Sequence, residues 1–189
     1  MTKYILHGGN THTKSKDNNR FFQEIVKDCP DVCNLLIVYF SREENEWPEL
    51  LKEDKENFIS ANPAKKINFV LASKDKQTFI KQVKQADAIY MRGGETVMLV
   101  NTLKGIKNLK DLFSGKVVAG SSAGAYVLSR YYIDSREDLG KGLGILPIKT
   151  FAHYDDSRKD ELIRLKNHRQ KLPTCVLEEG KFVVIKNRD

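Results

Sequence analysis

Short apolar runs alternate with amphipathic segments along the first two thirds of the chain. Continuous apolar runs are typical of strands covered on both faces, and they predict five strands: Tyr4–Leu6, Leu35–Phe40, Ile67–Leu71, Ala88–Met91 and Lys116–Ala119. Apolar residues at helical spacing predict helices between these strands, at 18–27, 48–59, 76–86 and 96–103. This alternation predicts an α/β fold with a single doubly wound, mostly parallel sheet and helices on both of its faces.

The last third of the chain is less regular. Glycines predict a loop over 139–147, a short apolar stretch predicts a strand over 148–152, and a helix is predicted over 156–167. Two further apolar stretches, Thr174–Leu177 and Phe182–Ile185, are predicted to pair as a hairpin around residues 178–180. Because 189 residues is a typical size for one domain, we assign residues 1–189 to a single domain.

Composition and charge narrow the classes of protein that fit. Hydrophobic residues make up 40% and charged residues 30%, which excludes a disordered or collagen-like chain. The net charge is +7, but the lysines are scattered, which favours a solvated surface over a nucleic-acid-binding face. No apolar run approaches the ~20 residues of a membrane helix, and the N-terminal stretch is too short for a signal peptide. Three cysteines are an odd and sparse set, typical of reduced thiols, so we predict a cytoplasmic protein. From the scattered charge and the short apolar runs, we predict no nucleic-acid or membrane partner.

The candidate nucleophile lies where the fifth predicted strand ends. Residues 120–124, Gly-Ser-Ser-Ala-Gly, match the pattern G-x-S-x-G between a strand and a helix. In that context the pattern indicates a nucleophile elbow, a turn so sharp that its central residue has a strained backbone. The residues two positions before and after the nucleophile must be small, and Gly120 and Gly124 meet this requirement. The pattern therefore predicts that Ser122 presents its hydroxyl above the sheet.

A serine hydroxyl needs a neighbouring base to become a nucleophile. The chain has four histidines. His7 and His12 flank the first glycine turn, and His168 lies in a polar helix. His153 follows a short predicted strand and precedes a helix, so it is expected at a strand end, where parallel sheets bind their ligands. We predict His153 as the base.

A carboxylate must orient the histidine and stabilise its cationic form. Three pairs of acidic residues are candidates: Asp134 and Asp138, Asp155 and Asp156, and Glu178 and Glu179. The first pair would give the chain order Ser-Asp-His, and the last pair the order Ser-His-Glu. The middle pair follows the histidine so closely that it could orient the ring only awkwardly. Spacing alone leaves the choice among these acids open.

Four ordered stretches of the chain resemble one family of enzymes. They are Leu6–Gly9, Arg92–Thr96, Gly120–Ala125, and Leu143–Leu146 followed by Ala152–Asp155. Together they resemble the dipeptidase E and cyanophycinase family of serine peptidases, whose fold is similar to that of the class I glutamine amidotransferases. The resemblance covers most of the chain, although Glu95 stands where the family's turn often has Asn or Asp. It implies a Ser-His-Glu triad at Ser122, His153 and Glu179, with Glu178 as the alternative acid.

The resemblance also implies an oxyanion hole and a substrate class. The oxyanion hole would be formed by the amides of Gly94 and Ala123, and the reaction needs no metal or organic cofactor. Members of the family cleave dipeptides with an N-terminal aspartate, or β-aspartyl-arginine units of a storage polymer. Because a guanidinium can grip a carboxylate with two hydrogen bonds, we expect an arginine to bind this side chain. The predicted residue is Arg158, with Arg92 and Arg130 as further candidates.

We predict a serine peptidase that acts on small peptides, and four other classes of protein compete with this prediction. The first is a nucleotide-binding protein, because residues 8–15 resemble the phosphate-binding pattern G-x-x-x-x-G-K-S. Thr13 replaces the second glycine of that pattern. A glutamine amidotransferase would carry cysteine at the elbow, where this chain has Ser122. A catalytically inactive binding protein on the same scaffold, and an amidase or esterase for non-peptide substrates, are the remaining alternatives. The sequence does not fix the oligomeric state, and a homodimer is compatible with it.

Overall fold

The secondary structure is described from a computed structural model for residues 1–187. Within that range the chain forms ten strands: β1 (Thr2–His7), β2 (Val32–Val38), β3 (Lys66–Leu71), β4 (Ala88–Met91), β5 (Val117–Ser121), β6 (Tyr131–Ile133), β7 (Leu139–Lys141), β8 (Lys149–Phe151), β9 (Thr174–Val176) and β10 (Phe182–Asn187). It also forms seven α-helices: α1 (Lys16–Val26), α2 (Trp47–Ala61), α3 (Lys76–Gln85), α4 (Thr96–Leu103), α5 (Leu109–Leu112), α6 (Ala123–Leu128) and α7 (Lys159–Asn167). Two short 3-10 turns, Glu44–Glu46 and Asp156–Arg158, lead into α2 and α7.

Two sheets position the functional loops. The first has the order β10-β1-β5-β4-β2-β3, in which β10 is antiparallel to β1 and the other neighbours are parallel. The second has the order β7-β6-β8-β9, in which β7 is antiparallel to β6 and the other pairs are parallel. In the first sheet, the register of β1 with β5 places His7 beside Ser121, so the loops after these strands begin side by side.

Both faces of the first sheet are covered by helices. Along β2, Leu36 and Val38 pack into one apolar cluster, with residues of α3, α4 and α6. Leu35 and Ile37 point to the opposite face and pack against α1 and α2. Burial on both faces explains why this strand is apolar at consecutive positions. Among residues 1–187, none of the helices has the length and apolar content that crossing a membrane requires.

The predicted α/β class and mostly parallel arrangement are confirmed. All five strands predicted in the first two thirds of the chain are present and belong to the first sheet, and α2, α3 and α4 lie where helices were predicted. The structure has two sheets rather than the predicted single one, because strands β6 to β9, which follow α6, form a sheet of their own. The loop predicted over 139–147 contains the short strand β7. The assignment of residues 1–189 to one domain stays a prediction.

The predicted hairpin between the last two strands is wrong. β9 pairs with β8 in the second sheet, whereas β10 pairs with β1 in the first. Residues 177–181 therefore connect the two sheets instead of turning back on one. β10 pairs with β1 at all six residues of β1, which covers the edge that β1 would otherwise expose.

Candidate active site

Ser122 lies at a sharp turn between β5 and α6. Its backbone angles are φ 50° and ψ −107°, outside the regions that a residue with a side chain usually adopts. The turn requires glycines on both sides because the backbone is close-packed there. A Cβ atom on Gly120 would lie 2.2 Å from the carbonyl carbon of Gly124, and one on Gly124 would lie 2.2 Å from the carbonyl oxygen of Met91. The peptide N–H of Ser122 donates to the carbonyl of His7 at 3.0 Å and ties the turn to β1.

His153 lies just past the C-terminal end of β8, an interior strand of the second sheet, and its ring lies between Ser122 and Glu179. Its Nε2 atom is 2.9 Å from the Ser122 Oγ, and its Nδ1 atom is 2.7 Å from the Glu179 Oε1. A carboxylate can only accept a hydrogen bond, so Nδ1 carries the ring proton. In the neutral ring, Nε2 is then the acceptor for the Ser122 hydroxyl. The backbone N–H of His153 donates to the carbonyl of Gly8 at 2.9 Å, which fixes this loop to the turn after β1.

Glu179 lies in the connection between β9 and β10, and its side chain is 52% exposed. The hydrogen bond from His153 lowers the pKa of its carboxyl group, and a second hydrogen bond, from Asn10, lowers it further. Both bonds favour the ionised form that a histidine-orienting acid requires. Glu178 is exposed and lines a surface groove behind the histidine; neither of its carboxylate oxygens is hydrogen-bonded to His153.

The other acidic candidates lie in local turns. The side chain of Asp134 accepts hydrogen bonds from the backbone N–H groups of Arg136 and Asp138. The side chain of Asp155 caps the 3-10 turn that follows it by accepting from Ser157. Turn-capping of this kind is common for aspartate in loops and explains these residues without a functional role.

The two amides predicted to form the oxyanion hole belong to residues near Ser122. Gly94 belongs to the turn after β4, the strand next to β5, and a Cβ atom on its neighbour Gly93 would lie 3.2 Å from the Cβ of Ser122. The turn is braced by the loop after β2, where Ser41 Oγ donates to the carbonyl of Arg92 at 2.9 Å. Ala123 is the first residue of α6, so its N–H has no partner within the helix.

An open cavity of about 580 Å³ lies above Ser122. Its lining is mostly polar: Gly9, Asn10, Thr11, His12, Arg42, Arg92, Gly93, Gly94, Glu95, Ser121, Ser122, Ser135, His153 and Glu179. Its size and polarity suit a small polar ligand. At the rim, Arg136 pairs with Glu95 at 3.0 Å. Over residues 1–187, no group of three or more His, Cys, Asp or Glu side chains is arranged to hold a metal ion.

The arginines predicted to bind a substrate carboxylate are engaged elsewhere. Arg158 does not line the cavity; its guanidinium forms a forked ion pair with Glu161 and lies 4.5 Å from the ring centre of Phe151. Arg92 lines the cavity but is buried and pairs with Asp54 at 2.6 Å.

Arg130, the third predicted arginine, packs over the turn at Gly144 and is also outside the cavity. Arg42, which the sequence did not single out, lines the cavity beside the Gly93–Gly94 turn. Its Nε donates to the carbonyl of Gly93 at 2.8 Å.

The segment that resembled a phosphate-binding loop has a different structure. Ser15 caps α1 by accepting from the N–H of Asn18 at 3.1 Å. Asn10, in the same segment, donates from Nδ2 to the Glu179 Oε2 at 2.9 Å. Sequence reasoning missed Asn10, and the one local signal for it was its place directly after a Gly-Gly pair at a strand end.

Comparison with known protein families identifies the family to which this chain belongs. Residues 5–189 match the model of peptidase family S51, so the chain belongs to that family. This confirms the resemblance drawn from the four sequence stretches, and membership supports a serine peptidase.

Solved structures share the fold. A peptidase from an acI-B1 actinobacterium aligns with a TM-score of 0.64 and 23% identity, covering 98% of this chain and 84% of that one. A candidate peptidase E protein from Listeria monocytogenes EGD-e aligns with a TM-score of 0.69 and 17% identity, covering 100% of this chain and 96% of that one. At these identities the likeness shows the fold alone. A comparison with curated protein sequences finds no match.

Proposed function

We propose that this chain hydrolyses small peptides through an acyl-enzyme formed on Ser122. One observation carries the proposal: hydrogen bonds of 2.9 Å and 2.7 Å join Ser122, His153 and Glu179 in series at the edge of an open polar cavity. A nucleophile, a base and an orienting acid in contact in this order form the arrangement used for acyl transfer. A cytoplasmic location is part of the proposal, and the three cysteines, all free thiols, support it.

The reaction divides into two proton-coupled steps. As the Ser122 Oγ attacks the substrate carbonyl, its proton passes to His153 Nε2, and the negatively charged Glu179 stabilises the imidazolium. The amides of Gly94 and Ala123 hold the oxyanion, a contribution of about 3 kcal/mol for each donor. The tetrahedral intermediate then collapses, the C–N bond breaks, and the leaving amine takes the proton from Nε2. In deacylation, His153 takes a proton from a water molecule that attacks the acyl-enzyme. The bond between the acyl carbon and the Ser122 Oγ then breaks, the proton returns to the Oγ, and the carboxylic acid product leaves.

A covalent probe tests the proposed nucleophile. We expect a fluorophosphonate to label the protein at Ser122, and Ser122→Ala to abolish labelling. Ser135→Ala is the matched control, because Ser135 lines the same cavity outside the hydrogen-bonded series. A library of dipeptides then tests the substrate class. Labelling without cleavage of any peptide would favour an amidase or esterase, and failure to label would favour a binding protein on the same scaffold.

We further propose that N-terminal aspartyl peptides are preferred and that Arg42 contributes to this preference. The positive charge of Arg92 is compensated by two carboxylates, those of Asp54 at 2.6 Å and Glu53 at 2.8 Å. Arg42 pairs only loosely, at 3.4 Å, with the half-exposed Glu46. Since a guanidinium has five N–H donors, Arg42 retains donors for a substrate carboxylate beside the Gly93–Gly94 turn.

Paired substrates, with and without the charge, distinguish the roles of Arg42 and Arg158. We expect Arg42→Gln to lower kcat/KM for Asp-X dipeptides about tenfold relative to the uncharged Asn-X dipeptides. Arg158→Gln, which removes the arginine predicted from the resemblance, should leave the Asp-X to Asn-X ratio unchanged. If Arg158→Gln alone changes that ratio, Arg158 binds the substrate carboxylate and Arg42 has no part in selectivity.

A further inference from the structure

His7 is a wholly buried titratable residue that the proposed reaction does not use. Its Nδ1 accepts a hydrogen bond from the N–H of Gly9 at 3.1 Å. The neutral ring therefore carries its proton on Nε2, which lies 3.0 Å from the Asn18 Oδ1 and donates to it. Burial is the main cause that lowers the pKa of His7, to about 4, so the ring keeps this neutral form at physiological pH. His7 thus fixes both the start of the turn after β1 and the amide of Asn18.

Asn18 extends this network into the turn. With its oxygen bound to His7, its Nδ2 group donates to the carbonyl of Asn10 at 2.9 Å and to the carbonyl of Thr13 at 2.6 Å. The side chain is 2% exposed, so these bonds satisfy a buried amide and hold both ends of the segment 10–13.

Asn10 is the point at which the network reaches the proposed site. Its backbone has a φ of 65°, a left-handed conformation that asparagine tolerates well. Thr13 Oγ1 donates to the Asn10 Oδ1 at 2.8 Å, which orients the amide so that its NH2 group faces Glu179. The distance from Nδ2 to the Glu179 Oε2 is 2.9 Å. The other oxygen of the same carboxylate binds His153 at 2.7 Å.

We propose that Asn10 is a positioning residue that holds the carboxylate of Glu179 in the plane in which it meets His153. Glu179 is half-exposed and lies in a connection between two sheets, so its side chain would otherwise sample several rotamers. Anchoring the second oxygen to a turn that is itself fixed by buried His7 and Asn18 removes that freedom. The proposal rests on the proposed function, because it assigns a role toward the acid of that site.

The variant Asn10→Gly tests the proposal, because glycine adopts the same φ without the amide donor. We expect kcat for the best dipeptide to fall about tenfold with KM unchanged, since a hydrogen bond to a charged group is worth about that factor. Asn108→Gly is the matched control: Asn108 also has a left-handed backbone, with φ 55°, and does not line the cavity. Its kcat should equal that of the wild type.

A double variant and an NMR measurement distinguish a positioning role of Asn10 from an effect on folding. In Glu179→Ala, adding Asn10→Gly should cost less than about twofold, because the side chain to which Asn10 donates is already absent. The NMR signal of the His153 Nδ1 proton should persist in the wild type and in Asn108→Gly and vanish by exchange in Asn10→Gly. An equal loss of kcat in both backgrounds, or an unchanged proton signal, would overturn the role of Asn10. A wild type without Ser122-dependent turnover would instead refute the proposed function, and the NMR comparison would still decide the proposal on Asn10.

Discussion

At the scale of single residues, the site depends on three side chains from loops that are far apart in the sequence. Ser122 has a strained backbone, and strain of this kind costs on the order of 1–3 kcal/mol. The surrounding glycines and the bond to the carbonyl of His7 maintain it. His153 is held at both ring nitrogens. In the proposed reaction, each group works only through its neighbour.

Removing either reacting group should therefore nearly abolish turnover. We expect Ser122→Ala and His153→Ala each to lower kcat by about 10⁴-fold or more, and the double variant to be little worse than either single one. Steady-state kinetics on a dipeptide measures all three. Additive losses in the double variant would mean that the serine and the histidine act independently.

The two neighbouring glutamates should differ sharply. Glu179→Gln should lower kcat by about a hundredfold or more without loss of stability, because the amide no longer stabilises the imidazolium. Glu178→Gln should leave kcat unchanged, since Glu178 makes no bond to the ring. Kinetics together with thermal unfolding checks both variants, and the reverse result would assign the acid to Glu178.

At the scale of elements, the loop after β1 meets the loop after β8. Gly9 has a φ of 106°, and a Cβ atom there would lie 2.1 Å from the Cε1 of His153. The carbonyl of Gly9 also accepts from the N–H of Gly180, next to Glu179. Because Gly9 has no side chain, the loops after β1 and β8 and the connection between β9 and β10 can meet at the ring of His153.

Adding a methyl group at this junction should displace the ring. We expect Gly9→Ala to abolish fluorophosphonate labelling at Ser122 and to lower the unfolding free energy. Gly115→Ala is the control, because Gly115 also has a positive φ, of 73°, but no atom within 4 Å of the added Cβ. That control should cost about 1–2 kcal/mol for its backbone conformation and keep full labelling. Labelling that survives in Gly9→Ala would show that the ring does not need this close contact.

At the scale of the whole molecule, burial makes His7 a determinant of acid stability. Its folded pKa, about 4, lies below the ordinary value of 6.5, and burial is the first cause. Between these values the unfolded chain binds a proton that the folded protein does not, so stability falls as the pH drops from 6.5 to 4. The stability lost through this residue over that range is about 3 kcal/mol.

Replacing the ring should flatten this pH dependence. We expect His7→Gln to show a smaller decrease in unfolding free energy between pH 6.5 and pH 4 than the wild type, measured by urea titration. His12→Gln replaces an exposed histidine and serves as the control. Equal slopes for the wild type and His7→Gln would show that His7 does not carry the acid sensitivity.

Local patterns predicted much of this architecture because they depend on residues near in sequence. Strand β4 and helix α4 have their predicted bounds, since apolar runs and helical spacing are fixed by short-range burial requirements. Helix α1 begins two residues earlier than predicted, because the hydroxyl of Ser15 caps it. The elbow pattern likewise predicted the sharp turn at Ser122, since the small residues that such a turn demands are adjacent in the chain.

By itself, the sequence determined the α/β class, the family and the strand-to-helix turn at Ser122. Only the tertiary structure decided that β9 and β10 belong to different sheets, that Asn10 meets Glu179 across 169 positions of sequence, and that Arg158 is bound by Glu161 outside the cavity. The physical reason is range. A turn or a buried run has its determinants within a few residues, whereas the pairing of an edge strand or the partner of a charged side chain depends on which surfaces the folded chain brings together.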